Sequence, residues 1–257
     1  MKITFVGLSC FLLESQNGDS LLIDPFSDQP EYYLGLKFPK NLQADLFLVS
    51  HPDEDHSYLK SKFIKKRRVE DLKDTQKATK AFPDLNLRGT IVREYNGDLN
   101  LAFSFSIDQI RFLHLADNAH LLNQKQLEEI GRIDVLFISP PKSGIGNGPQ
   151  THVKNIKLLN PKLAFPCHYI PPKTKKEVPS REVVQNHLRK KLLQSWVTNP
   201  AANEKSVQVL SEVFLQALKL KDFFPNYQNL WSSTFEIEKK SLPQKTRVLV
   251  FRECLGS

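Results

Sequence analysis

Apolar positions open the chain in short bursts. "KITFV", "FLLE" and "SLLID" are strand-length runs, with Gly7 and "QNGD" as turn signals between them. "LFLVS" (Leu46 to Ser50) is continuously apolar, the pattern of a strand buried on both faces. Tyr58, Leu59, Phe63 and Ile64 then fall at helix-like spacing, which predicts a helix after His56. "GTIVRE", "LAFSFSID" and "QIRFLHLAD" return to strands. "NQKQLEEIGRI" predicts a helix that opens near Asn123 and stops at Gly131. "DVLFISPP" is a further buried strand, "THVKNIKLLNP" a helix closed before Pro161, and "KLAFPCHY" a strand with a histidine at its end. Beyond Pro179 the character changes. Val184, Leu188, Leu192 and Trp196 share one helical face, as do Val207, Leu210, Phe214 and Leu218. These predict a helical insertion at about 180–230, suited to covering the core, to a lid or to a dimer surface. "TFEIEKKSLPQKTRVLVF" then closes the chain with two strands around a proline turn.

The recurring unit is a strand, a polar loop and a helix, which predicts α/β layers with chemistry gathered at strand ends. A chain of 257 residues can bury one core, so residues 1–257 are expected to form a single domain carrying the insertion. No apolar run approaches the roughly 20 residues of a membrane span. "MKITFVGLSCFLLES" lacks a small-residue cleavage pattern and reads as strands rather than as a signal peptide. Cys10, Cys167 and Cys254 are odd in number and far apart, which suits a reducing compartment and points to the cytoplasm.

The net charge of +8 adds a preference for anionic partners. Much of it lies between Lys60 and Lys80, where Glu70, Asp71 and Asp74 break the run; a solvated helix face is the simpler reading there.

Candidate chemistry centres on "SHPDEDH" (residues 50–56). In an extended loop His51, Asp53 and Asp55 point one way, and His56 turns in beside them. Asp117 in "HLADNAH" and His168 in "PCHY" lie at two other strand ends. Imidazole and carboxylate converging from several segments is the donor set of borderline divalent ions such as zinc or manganese. His51, Asp53, Asp55, His56, Asp117 and His168 are therefore the candidate ligands. No Gly-x-Ser-x-Gly, P-loop or dinucleotide fingerprint is present.

On these segments the chain resembles the metallo-β-lactamase-fold hydrolases, in the branch similar to L-ascorbate-6-phosphate lactonases and other small zinc-dependent hydrolases. "MKITFVGLSCFLLES…LLIDPF" resembles that branch's opening hairpins, "HLADNAHLLNQKQLEEIGRIDVLFISP" its "HLGDLGH…LT" segment, and "LNPKLAFPCHY" its "LxPxxxIPMHY" segment. The likeness covers about residues 1–173 and the last strands. It implies an αββα sandwich, two mixed β-sheets face to face with helices outside.

The family pattern is HxHxDH, an intermediate His, a bridging Asp and a final His. His51, Asp55, His56, Asp117 and His168 match it. Asp53 stands where the second His belongs. No histidine lies between His56 and His114, and "REYNGDLNLAFSF" offers Glu94, Asn96 and Asp98 instead. Ala116 replaces the glycine of "HLGD". The resemblance implies that Asp55, His56, His168 and Asp117 form one complete half-site, expected to hold one ion per chain. The first half-site is then weak, empty or rebuilt with carboxylates. Asp53 either repels a phosphate, recruits a harder ion, or stays free as a base.

The expected activity is metal-assisted hydrolysis of phosphoesters or lactones on a small anionic substrate. Asp55, Asp117 and His120 are the candidate catalytic residues: Asp117 or Asp53 to orient the water, His120 to protonate the leaving group. His120 reads equally well as a hydrogen-bonded loop residue. Spacing on an apparent strand turns His114 away from the site into the core, and places Cys167 on the core face beside His168. His152 and His187 read as helix-surface residues, and "KSGIGNG" (Lys142 to Gly148) as a loop able to reach substrate. Two other classes stay open. One is a catalytically impaired relative that binds a ligand or partner, with the 180–230 helices as its surface and a route to oligomers. The other is a nuclease, disfavoured because basic and aromatic residues are not interleaved as base stacking requires.

Overall fold

The computed structural model describes residues 1–27, 37–53, 55–58, 64–94, 97–139, 149–169, 171 and 226–255. The predicted helices at Val184–Trp196 and Val207–Leu218, His187, Asn96 and the loop 142–148 lie outside these residues.

Two mixed sheets face one another. The first orders β12 (Thr234–Glu236), β1 (Lys2–Gly7), β2 (Cys10–Glu14), β3 (Ser20–Ile23), β4 (Ala44–Leu48) and β5 (Ile64–Val69). The second orders β11 (Gln228–Leu230), β13 (Arg247–Phe251), β10 (Leu163–Pro166), β9 (Val135–Ile138), β8 (Ile110–His114), β7 (Leu99–Ile107) and β6 (Arg88–Arg93). Strands β3, β4 and β5 run parallel, as do β8, β9 and β10. The closing segment serves both sheets: β12 pairs with β1, and β13 with β10. This is the expected α/β sandwich of two mixed sheets.

An aromatic layer joins the sheets. Phe11 of β2 stacks on Phe137 of β9 with centroids 4.1 Å apart. Phe5 of β1 stacks on Phe251 of β13 at 5.5 Å, and Phe235 of β12 meets Phe165 of β10 at 5.7 Å. All but Phe235 are fully buried, and each buried phenyl contributes about 1.5–3 kcal/mol. The apolar runs of the sequence are thus the facing surfaces of the two sheets.

Helix α1 (Leu72–Ala81) packs on β5 and β6, and α2 (Gln124–Ile130) on β6. Asp71 caps α1 by accepting from the Asp74 N–H at 2.7 Å. Asn123 and Gln126 form a reciprocal capping box on α2, which ends at Gly131 with φ +66°. Helix α3 spans Pro149–Leu159. Among the described residues no helix is long and apolar enough to cross a membrane.

One predicted element is corrected. The stretch expected to start a helix after His56 holds strand β5, "IKKRRV", paired in parallel with β4, and the helix begins only at Leu72. A basic edge strand resembles a solvated helix face in sequence, because edge strands carry charge that discourages further pairing.

Candidate metal centre

The candidate ligands arrive from strand ends at a common rim. β3 runs into Asp24, β4 into Ser50 and His51, β6 into Glu94, β8 into Asp117, β9 into Ser139 and β10 into His168. Several of these ends turn abruptly: Asp24 (φ +44°), Ala116 (φ +51°) and His168 (φ +59°) hold left-handed backbone without being glycine. Each such residue costs about 1–2 kcal/mol, and strain of this kind concentrates where side chains are re-aimed for chemistry.

His56 and His168 converge on Asp55 and Asp117. Nε2 of His168 lies 3.2 Å from Oδ2 of both carboxylates. Nε2 of His56 lies 3.5 Å from Oδ2 of Asp55 and 3.8 Å from Oδ2 of Asp117. Both nitrogens are buried and neither makes a hydrogen bond. Asp117 is fixed from behind by the Ser139 hydroxyl, which donates to Oδ1 at 3.0 Å.

A third carboxylate orients the histidines. Nδ1 of His56 donates to Oδ2 of Asp24 at 2.9 Å, Nε2 of His114 donates to the same oxygen at 2.7 Å, and the Ser50 hydroxyl donates to it at 2.8 Å. The Ser50 amide holds Oδ1 at 2.8 Å. Since the Ser50 hydroxyl spends its single proton on Asp24, Nδ1 of His51 is the donor in its 2.8 Å contact with that hydroxyl. Both His51 and His56 therefore turn Nε2 toward the rim, the tautomer a metal ligand needs.

Electrostatics follow from this packing. Burial opposes ionisation of Asp24, but the charges of His114 and His56 and their hydrogen bonds hold its carboxyl well below the usual range. For His56 burial works against the proton, yet Asp55, Asp117 and Asp24 push its pKa up to about 10. Burial, then the charge of His56, push His51 down to about 4. Asp55 is held low, chiefly by His56 and His168, against its own burial. The rim is a negative enclosure that either a proton or a cation must neutralise. Buried imidazole nitrogens without hydrogen bonds, facing carboxylates, suit a divalent ion.

His51 also faces a second group. Its Nε2 lies 3.6 Å from Oδ2 of Asp53 and 3.5 Å from Oε1 of Glu94. His51, Asp53 and Glu94 form one ligand set with donor atoms within 4.8 Å; His51, His56 and Asp117 form another, and Asp55, His56 and His168 a third. Glu94, from the stretch after β6, thus faces His51 Nε2. The Asp98 backbone carbonyl accepts from the Glu94 N–H at 3.0 Å.

The Beta-lactamase superfamily domain model matches residues 2–168, and these carry every candidate ligand. The chain belongs to the β-lactamase superfamily. Among superfamily relatives, an Archaeoglobus fulgidus UPF0173 metal-dependent hydrolase is 26% identical over 198 residues, 66% of this chain and 83% of that protein. A Carboxydothermus hydrogenoformans UPF0173 metal-dependent hydrolase is 27% identical over 66% of this chain and 84% of its own. A crystal structure from Thermotoga maritima, assigned as a Zn-dependent hydrolase of the metallo-β-lactamase superfamily, has a TM-score of 0.58 at 25% identity and covers 97% of both chains.

Within this superfamily frame the remaining candidates are placed as follows. His120 is exposed, and its Nε2 donates to the Glu94 carbonyl at 3.1 Å. His114 is a buried histidine outside the ligand sets, as spacing predicts, but it is tied to the site through Asp24. His152 is not a surface residue: it is only 3% exposed, and burial pushes its pKa down to about 4. It shares the covered face of α3 with Thr151, Asn155 and Leu159, a face too polar to read as buried. Cys167 is buried, with Sγ 3.5 Å from the Ser139 hydroxyl. Asp24, Ser50 and Ser139 escaped the sequence reading. Their one signal is position, each following an apolar strand run.

Proposed function

We propose that this chain is a metal-dependent hydrolase that cleaves a small anionic phosphoester or lactone. The observation that carries the reading is the convergence of two buried, hydrogen-bond-free imidazole nitrogens, His56 Nε2 and His168 Nε2, on Asp55 and Asp117. Those four residues form the one half-site that keeps the family's donors, and it suits zinc or manganese. A bound ion supplies Lewis acidity and activates water near neutral pH.

The chain's own residues do the rest. Asp24 holds His56 in the ligating tautomer, and Ser139 fixes Asp117 so that Oδ2 faces the rim. Asp55 and Asp117 orient the attacking water. His120, tethered through Nε2, leaves Nδ1 free to take up a proton, and the resulting imidazolium delivers it to the leaving group. The net charge of +8 supports an anionic substrate. The likeness of the "HLADNAH" and "LAFPCHY" segments to the ascorbate-phosphate lactonase branch supports the substrate class. Three buried cysteines outside any disulfide support a cytoplasmic location, and the amphipathic sequence pattern of residues 180–230 supports an oligomer.

Elemental analysis of protein purified without chelators, followed by turnover of phosphomonoester, phosphodiester and lactone panels, tests the reading. About one tightly held ion per chain and hydrolysis lost on His168→Ala are expected. A chain that takes up neither zinc nor manganese would instead be a catalytically impaired binding protein, and cleavage confined to single-stranded RNA would make it a nuclease.

A further inference from the structure

We propose that this chain binds a small phosphate ester at a second site, where Arg88 and Arg111 flank Ser104 and Ser106 on the outer face of the second sheet. The site lies at the end of the sandwich opposite the metal rim and uses none of the rim's residues.

Strand register builds it. Arg88 of β6 lies across from Ser104 of β7, and Ser106 of β7 across from Arg111 of β8. Successive strand residues alternate faces, so the two serines share one face of β7 and Phe103 and Phe105 share the other. The phenyl face is the inner one: Phe105 stacks on Phe112, Phe112 on Phe137, and Phe137 on Phe11 of the first sheet. Both serines and both arginines therefore lie outside the aromatic layer. With Asn86 they line a recess of about 230 Å³. Arg88 and Arg111 stand at the starts of β6 and β8, whereas Glu94 and Asp117 follow the far ends of the same strands.

The chemistry of the recess selects an anion. Two guanidiniums, two hydroxyls and a carboxamide line it, and among the described residues no acidic side chain does. Among those residues, too, neither guanidinium has an ion pair and neither hydroxyl a hydrogen bond. Asp134, next to Ile133 at the recess, is already held by Lys239 Nζ at 2.5 Å and by the Arg111 N–H at 3.0 Å. Guanidinium forks bind phosphate oxygens two at a time, and a phosphate monoester carries about two charges and three acceptor oxygens. Two arginines balance that charge; a carboxylate answers only one of them. Asn86, Ser106 and Arg111 also line a cleft of about 1110 Å³ that extends to Gln16 and Asn17 in the β2–β3 turn. That cleft carries Asp19, Asp84 and Asp108, acceptors that suit hydroxyl groups and repel a second anion. A phosphate at the arginines with a hydroxyl-bearing body in the cleft satisfies both surfaces.

Calorimetric titration of the full-length protein provides the test. The probes are inorganic phosphate, hydroxypropylphosphonate (an ester mimic with no bond to hydrolyse), acetate and a single-stranded RNA. Phosphate should bind at these arginines and weaken as salt rises, and the phosphonate should bind at least threefold tighter because its body reaches the cleft. Acetate should give no heat. Arg88→Gln and Arg111→Gln should each weaken phosphate and phosphonate at least tenfold and leave the metal content unchanged. Both residues are exposed, so the fold should hold. Arg88→Lys and Arg111→Lys keep the charge without the fork and should fall between the parent and the glutamine variants. Phosphate binding that survives both glutamine variants overturns the proposal, as does the absence of heat from phosphate and phosphonate alike. Acetate binding as tightly as phosphate, or a phosphonate no tighter than phosphate, overturns the choice of an ester. RNA that displaces the phosphonate and depends on the same arginines replaces the small ligand with a nucleic-acid surface. None of these outcomes touches the hydrolase reading, which stands or falls on the ion at the rim.

Discussion

Nδ1 of His56 lies 2.9 Å from Oδ2 of Asp24, a residue that contributes nothing to any ligand set. That oxygen also receives His114 and Ser50, and through Ser50 it sets the orientation of His51. One buried carboxylate therefore organises histidines on both sides of the site. Asp24→Asn should weaken ion binding about 10–100-fold, the usual effect of removing a partner behind a ligating histidine. It should also destabilise the ion-free fold by about 3 kcal/mol, since it breaks a buried charged pair. Calorimetric titration and urea denaturation measure the two effects separately. Unchanged affinity would refute the organising role.

Proton and metal compete for the same enclosure. Asp55, Asp117 and Asp24 push His56 up to about 10 against its burial, so below that pH the ion-free protein carries a proton there. An entering ion must displace it. Ion affinity should rise with pH by about tenfold per unit between pH 6 and 8, with about one proton released per ion. Asp55, held ionised far below this range, adds nothing to the slope. Titration in buffers of different ionisation enthalpy counts the protons, and a flat profile would contradict the arrangement.

His168 combines a ligand role with a left-handed backbone, φ +59°. The two are separable. His168→Ala and His168→Gly should both lose the ion, while the glycine variant should be the more stable by about 1 kcal/mol, the cost of holding a Cβ in that conformation. Thermal melts of the ion-free variants decide it.

Ala116 sits at φ +51° and is buried. Ala116→Val places a β-branched residue in left-handed backbone and should cost more than about 2 kcal/mol. Ala116→Gly should stay within about 1 kcal/mol of the parent, because relief of strain offsets lost burial and added chain entropy. Denaturation midpoints give the comparison.

The strand runs and the ends that carry His51, Asp117 and His168 were legible because apolar periodicity is a local property. The capping of α2 by Asn123 and Gly131 was legible for the same reason. Strand β5 was not. Its pairing with β4 is a tertiary choice, and a charged edge strand has no period of its own. The polar buried face of α3 hid His152 in the same way.

What the sequence alone determined is the kind of chemistry: imidazoles and carboxylates spaced at strand ends. What only the tertiary structure decided is who meets whom. Asp24 reaches His114 across 90 positions, and Glu94 reaches His51 from the opposite sheet. Such pairings depend on which strands lie side by side and how sharply each turns at the rim. Chain packing as a whole sets both, and spacing along the chain does not encode either.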